Sequence, residues 1–171
     1  MTRHPGGLQH TSEMAALAGL APPCRILDMG AGSGDTVRFL RSMGLDALGI
    51  DLNPAEDVAP GDILSTPFDD ASFDAVIAQC SFFLTGDIGR AFREACRLLV
   101  PGGALLYSDV CFDDPADAAV RASFRVELSK DLSSMWREYY IESIWNGTAD
   151  CFKNPRPGKK CGYTMLICRK E

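Results

Sequence analysis

Residues 25–40 read RILDMGAGSGDTVRFL: an apolar run ending in Asp28, glycines at alternate positions (Gly30, Gly32, Gly34), then an amphipathic stretch. Closely spaced glycines end regular structure, and the flanks favour a strand before them and a helix after, so the segment predicts a strand–turn–helix unit. The same alternation of short apolar runs with amphipathic stretches continues along the chain, which points to a parallel sheet covered by helices. Strands are expected at 24–29, 47–52, 73–79 and 104–110, and helices at 12–19, 34–43 and 87–99. The helix over 87–99 is the clearest. Ile88, Phe92, Ala95 and Leu99 share a face, Asp87 can cap it, and Pro101-Gly102-Gly103 stops it. A further helix over 131–146 carries a stripe of Leu132, Met135, Trp136, Tyr139 and Tyr140, a pattern commoner in a core than in a cofactor box. Residues 123–128 suit a half-buried strand through Phe124, Val126 and Leu128, although Val120, Phe124 and Leu128 also fit a helix; the strand is the reading adopted. GYTMLICR, 162–169, reads as a closing strand.

A chain of 171 residues suits one domain, divided here into an N-terminal arm and helix (1–21), a core (22–110), and a lid with closing strands (111–171). Lys and Arg number 17 against 23 Asp and Glu, and the resulting charge of −6 would repel nucleic acid and anionic membrane, which favours a small-molecule partner. The charge is uneven. Residues 46–74 carry eight carboxylates and no Lys or Arg, whereas the last nineteen residues hold Lys153, Arg156, Lys159, Lys160, Arg169 and Lys170 against Glu171. Either these are two solvated faces, or a negative rim awaits a cationic cofactor and a positive lid an anionic substrate. The seven cysteines follow no metal-binding spacing, so no metal site is expected. With no signal-like N-terminus and no long apolar run, a cytoplasmic monomer or homodimer with free thiols is expected.

The glycine turn decides which nucleotide the chain would meet. A dinucleotide fingerprint, G-x-G-x-x-G, would place its third glycine at position 35, which is Asp35, a carboxylate that would repel a pyrophosphate. The pattern present is D-x-G-x-G-x-G. It resembles motif I of the class I S-adenosylmethionine-dependent methyltransferases, and three later stretches fall in that family's order. ALGIDLNP ends a second apolar run in Asp51, GDILSTPFDDASFDAVIAQCSFFL (61–84) is similar to the family's G-D-x-x-x-L-P-F…F-D-x-V stretch, and RLLVPGGALLYSD (97–109) is similar to its L-x-P-G-G turn. The resemblance covers about residues 22–110.

That resemblance implies a Rossmann-like three-layer α/β/α sandwich, mostly parallel with an antiparallel C-terminal strand. It implies methyl transfer from S-adenosylmethionine to a small-molecule acceptor, with S-adenosylhomocysteine as product. The cofactor residues it implies are Asp28, Gly30, Ala31, Gly32, Asp51, Leu52, Asp62, Ile63 and Gln79. Asp51 would take the ribose hydroxyls, and Asp62 and Ile63 would meet the adenine. Two departures stand out. Only five residues separate Leu52 from Val58, too few for a crossover helix, so the third strand should be vestigial or missing, with the second at the sheet edge. Residues 131–161 replace the usual short hairpin before the last strand and would form part of a lid, with RHPGGLQHT either a flexible arm or a frayed end.

Ligands of such sheets sit beyond the strand C-termini, which makes Cys80, Asp109 and Cys111 candidates for the acceptor pocket. Two thiols facing one pocket would suit a soft metalloid; buried cysteine is more often simply apolar. Cys161 follows two lysines that would lower its thiol pKa. No side chain stands out as a catalytic acid or base, and His4 and His10 read as surface residues. Two alternatives remain: a catalytically silent S-adenosylmethionine-binding protein, and a nicotinamide-dependent oxidoreductase.

Overall fold

In the computed structural model, which describes residues 4–147 and 158–171, one seven-stranded sheet organises the chain. In chain order the strands are β1 (Arg25–Met29), β2 (Asp46–Asp51), β3 (Ala59–Pro60), β4 (Phe73–Gln79), β5 (Leu99–Cys111), β6 (Phe124–Asp131) and β7 (Gly162–Lys170). Their order across the sheet is β3-β2-β1-β4-β5-β7-β6. β1 to β5 pair in parallel, and β7 runs antiparallel to both β5 and β6. The central strands are apolar on both faces: Ile26 and Leu27, then Ala75, Val76, Ile77 and Ala78, are all buried, as strands covered on both sides require.

Helices α1 (Gly7–Leu17) and α2 (Asp35–Ser42) cover one face, where Met14, Val37 and Leu40 pack on Ile26, Ala75, Ile77, Leu106 and Ile167. α3 (Ile88–Leu98) and α4 (Pro115–Arg121) cover the other, where Phe92, Ala95, Ala119 and Ala122 meet Leu27, Val76, Leu105 and Tyr107. The three-layer sandwich is as expected. Asp87 caps α3 by accepting from the Arg90 amide, and Asp114 caps α4 with Pro115 in the first turn. α5 (Ser133–Trp145) lies at the sheet's C-terminal end, tied on by the Tyr163 amide donating to Ser133 Oγ at 3.1 Å.

The third strand is indeed vestigial: two residues pair with β2, through Ile50↔Ala59 and Asp51↔Pro60. Four expectations need correcting. α1 begins at Gly7, not 12, because Gly6 takes a left-handed turn (φ 74°) that starts the helix. β5 begins at Leu99, since Pro101-Gly102-Gly103 bends within the strand and does not precede it. Residues 115–121, a part of the lid for which no helix was expected, form α4. The aromatic stripe of α5 is not core, for no residue of that helix is fully buried. Residues 148–157, with Lys153 and Arg156, and residues 1–3 lie outside the described residues.

Candidate functional site

The glycine turn is held from both sides. The amides of Gly30 and Ala31 both donate to the Ile50 carbonyl at the end of β2, at 2.9 and 3.0 Å. Gly30 has φ 89°, and a Cβ there would overlap the Cβ of Ser81, whose hydroxyl donates to the Met29 carbonyl at 2.6 Å. Only glycine fits. On β2, a Cβ at Gly49 would stand 2.7 Å from Ala31 Cβ and Val37 Cγ2, so that glycine lets the turn and α2 settle against the sheet. At Gly32 a Cβ would meet nothing within 4 Å, so the turn presents bare backbone to open space.

Asp51 splints this turn: one carboxylate oxygen accepts from the Gly32 amide at 2.9 Å and the other from the Asn53 amide at 2.8 Å. Each oxygen keeps a further lone pair. Asp28, at the end of β1, is 4% exposed and makes no hydrogen bond among the described residues. Burial first, and then the Asp51 charge, raise its carboxyl to about 7. An unpartnered buried carboxyl beside an open backbone turn suits a cation or ammonium ligand. Asp35 opens α2, bonded to Ser33 Oγ and Arg38, and so places a negative group where a pyrophosphate would have to lie.

A methyltransferase-domain family profile matches residues 27–107. The glycine/sarcosine/dimethylglycine N-methyltransferase of Actinopolyspora halophila is 32% identical over 121 residues, 60% of this chain and 21% of that protein. The arsenite methyltransferase of Aquipseudomonas alcaligenes is 32% identical over 117 residues, 53% of this chain and 34% of that one. The crystallised phosphoethanolamine N-methyltransferase 2 of Haemonchus contortus, in complex with S-adenosyl-L-methionine, superposes with a TM-score of 0.77 at 17% identity, over 99% of this chain and 54% of that one. Residues 27–107 of this chain thus match a methyltransferase domain, and the fold is the one the crystallised methyltransferase shares. The chain spans between 21% and 50% of the length of the first curated relatives it matches.

The crystallised Haemonchus contortus enzyme holds S-adenosyl-L-methionine in one structure and S-adenosylhomocysteine in another. The turn of this chain fits such a ligand on this structure's own terms: open space over Gly32, an unpartnered acid at Asp28, and spare acceptor capacity at Asp51. Leu52, 73% exposed beside Asp51, offers an apolar side chain with nothing yet covering it. Other residues named from the sequence carry structural contacts of their own. Asp62 closes a turn by accepting from the Leu64 amide at 2.8 Å, and Ile63 packs into the core. The Gln79 side chain is buried beneath α1, accepting from Thr11 Oγ1 at 3.0 Å.

At the far strand ends, Asp109 is 2% exposed, and its carboxyl accepts from the amides of Phe83 and Val110, which fixes the loop after β4. Burial raises it to about 7 against those bonds. Cys80 adopts a left-handed backbone (φ 55°), with its thiol 3.4 Å from the Tyr163 hydroxyl. The Cys111 thiol lies 3.2 Å from Thr164 Oγ1. Tyr163 and Thr164 are consecutive in a strand and point to opposite faces, so the two thiols do not share one pocket. Cys111 instead lines a cavity of about 350 Å³ with Phe112, Asp131, Lys160 and Cys161. The Cys161 thiol is raised to about 11, by burial and then Cys111, not lowered; Lys159 is held by Asp113 at 2.6 Å. His4 and His10, expected at the surface, are 7% and 3% exposed. Ser81 and Gly49 shape the turn, and Thr11 and His4 meet the Gln79 side chain. Only Gly49 had a signal in sequence, a glycine inside an apolar strand.

Proposed function

We propose that the chain transfers a methyl group from S-adenosylmethionine to a small-molecule acceptor. The observation that carries this reading is the unpartnered, buried Asp28 beneath a bare backbone turn that Asp51 braces. Gly30, Ala31 and Gly32 let the cofactor lie against the backbone, and Asp51 accepts the ribose hydroxyls alongside its two amide bonds. Leu52 and the neighbouring Asp62–Ile63 turn border the adenine, and Gln79 bounds the methionine end through its backbone. The cofactor supplies a methyl carbon already activated by a sulfonium. The chain's part is therefore to align the acceptor and keep water out.

Cys80, with Asp109 fixing the adjoining loop, borders the acceptor. The relatives' printed names include glycine, sarcosine and arsenite, all small molecules, which supports a small acceptor. A net charge of −6 supports a partner other than nucleic acid. No helix among the described residues is long and apolar enough to cross a membrane, and a cytoplasmic monomer or homodimer is the reading that accompanies this function. Isothermal calorimetry with S-adenosylhomocysteine tests the cofactor, with binding in the micromolar range expected and no heat at millimolar ligand ending the proposal. Transfer of labelled methyl to amines, thiols, hydroxyls and arsenite then tests the activity. Cofactor binding without transfer to any acceptor would favour the silent binding protein.

A further inference from the structure

This inference rests on the adenosylmethionine reading and concerns the opposite wall of the same site. The segment leading into α1 sets His4 against the end of β4, and the first turns of α1 carry His10. Both are buried, and the Nε2 of each is closed off from solvent without a hydrogen-bond partner among the described residues. Such orphaned nitrogens are rare in folded proteins and call for a cause.

The two rings differ in what surrounds them. His10 lies beneath Gly6, a residue that also approaches Met135 of α5, and burial and the neighbouring His4 lower it to about 4, so it stays neutral there. His4 reaches further. Its Nδ1 stands 3.5 Å from the Gln79 amide nitrogen at the C-terminal end of β4, and the ring feels the Asp35 carboxylate at the start of α2. The Gly30–Gly34 turn lies between those two places in the fold, which puts His4 on the α1 side of the turn.

The surroundings also leave the ring's polarity open. Thr11 donates to Gln79 Oε1, which turns the amide NH₂ toward His4, while the Pro5 carbonyl lies 3.3 Å from the same Nδ1. One neighbour donates and the other accepts. Nδ1 thus finds a partner in either tautomer, and Nε2 can present a proton or a lone pair as a ligand requires.

We propose that His4 Nε2 hydrogen-bonds the amino-acid end of the adenosyl cofactor, donating to its carboxylate while Asp28, across the turn, faces its ammonium.

The test is calorimetry on the full chain with two probes, S-adenosylhomocysteine and 5′-methylthioadenosine. The second keeps the adenine, ribose and thioether but lacks the amino-acid end. His4→Ala should weaken S-adenosylhomocysteine binding at least about tenfold and leave 5′-methylthioadenosine within about twofold. His4→Gln, which retains a neutral hydrogen-bonding group, should recover part of the loss, and His4→Phe, which fills the space without one, should not. Unchanged S-adenosylhomocysteine affinity in His4→Ala overturns the proposal. Equal weakening of both probes does so too, since the ring would then only pack the segment. Wild-type protein that binds neither probe removes the cofactor reading, and this proposal with it.

Discussion

At the residue scale, two carboxyls carry the site and behave oppositely. Asp51 already satisfies two backbone amides, so Asp51→Ala removes a splint and, in the proposed reading, a ribose partner. S-adenosylhomocysteine and 5′-methylthioadenosine should each bind at least about tenfold more weakly to that variant in calorimetry. Asp28 is defined by what it lacks. Its folded value of about 7 stands above the ordinary 3.8, so the unfolded chain ionises first and the wild type loses stability as pH rises from about 4 to 7. Asp28→Asn, neutral throughout, should match the wild type near pH 4 in urea denaturation and exceed it at pH 8. Asp109 titrates in the same window in both proteins, so the comparison isolates Asp28. A cation over Asp28 favours its ionised form. Adenosylmethionine should therefore bind more weakly at pH 6 than at pH 8, with protons released on binding, which calorimetry in buffers of different ionisation enthalpy would detect. Of these residues, the sequence shows the acids and the glycines, because their spacing is local. It does not show that His4 is buried or that Gln79 is already taken, because the partners of Gln79, Thr11 and His4, lie 68 and 75 residues away.

At the scale of elements, legibility followed how local each cause is. The strand at 73–79 and the helix near 87–99 appear almost residue for residue, because an apolar run or an amphipathic face with a cap specifies them without help. The start of α1 and the whole of α4 escaped, since a glycine bend and a seven-residue helix depend on what they pack against. The fate of the α5 stripe also turns on neighbours, and Trp136 stacks on Tyr140 at 5.5 Å along the helix itself instead of entering the core. Two substitutions separate scaffold from site. Asp87→Ala deletes the α3 cap and should cost about 1 kcal/mol in thermal unfolding with cofactor affinity unchanged. Gly30→Ala forces a Cβ into Ser81 at a left-handed backbone position and should cost about 2–4 kcal/mol, with cofactor binding lost alongside.

At the scale of the whole molecule, folding and binding are linked through this one site. S-adenosylhomocysteine at a hundredfold excess over its dissociation constant should add about 2.7 kcal/mol, which raises the melting temperature of a domain this size by about 5–10 °C. NADH at the same concentration should leave it unchanged, as Asp35 stands in the way of a pyrophosphate; a shift with NADH alone would reverse the assignment. β2 has a full neighbour on one side only, with two residues of β3 on the other, and Asp51, the acid proposed to meet the ribose, stands at its end. The amides of the empty chain should consequently exchange with deuterium soonest along 46–51, and slow most there once ligand arrives. Occupancy would then be legible as a tightening of the frayed margin of the sheet.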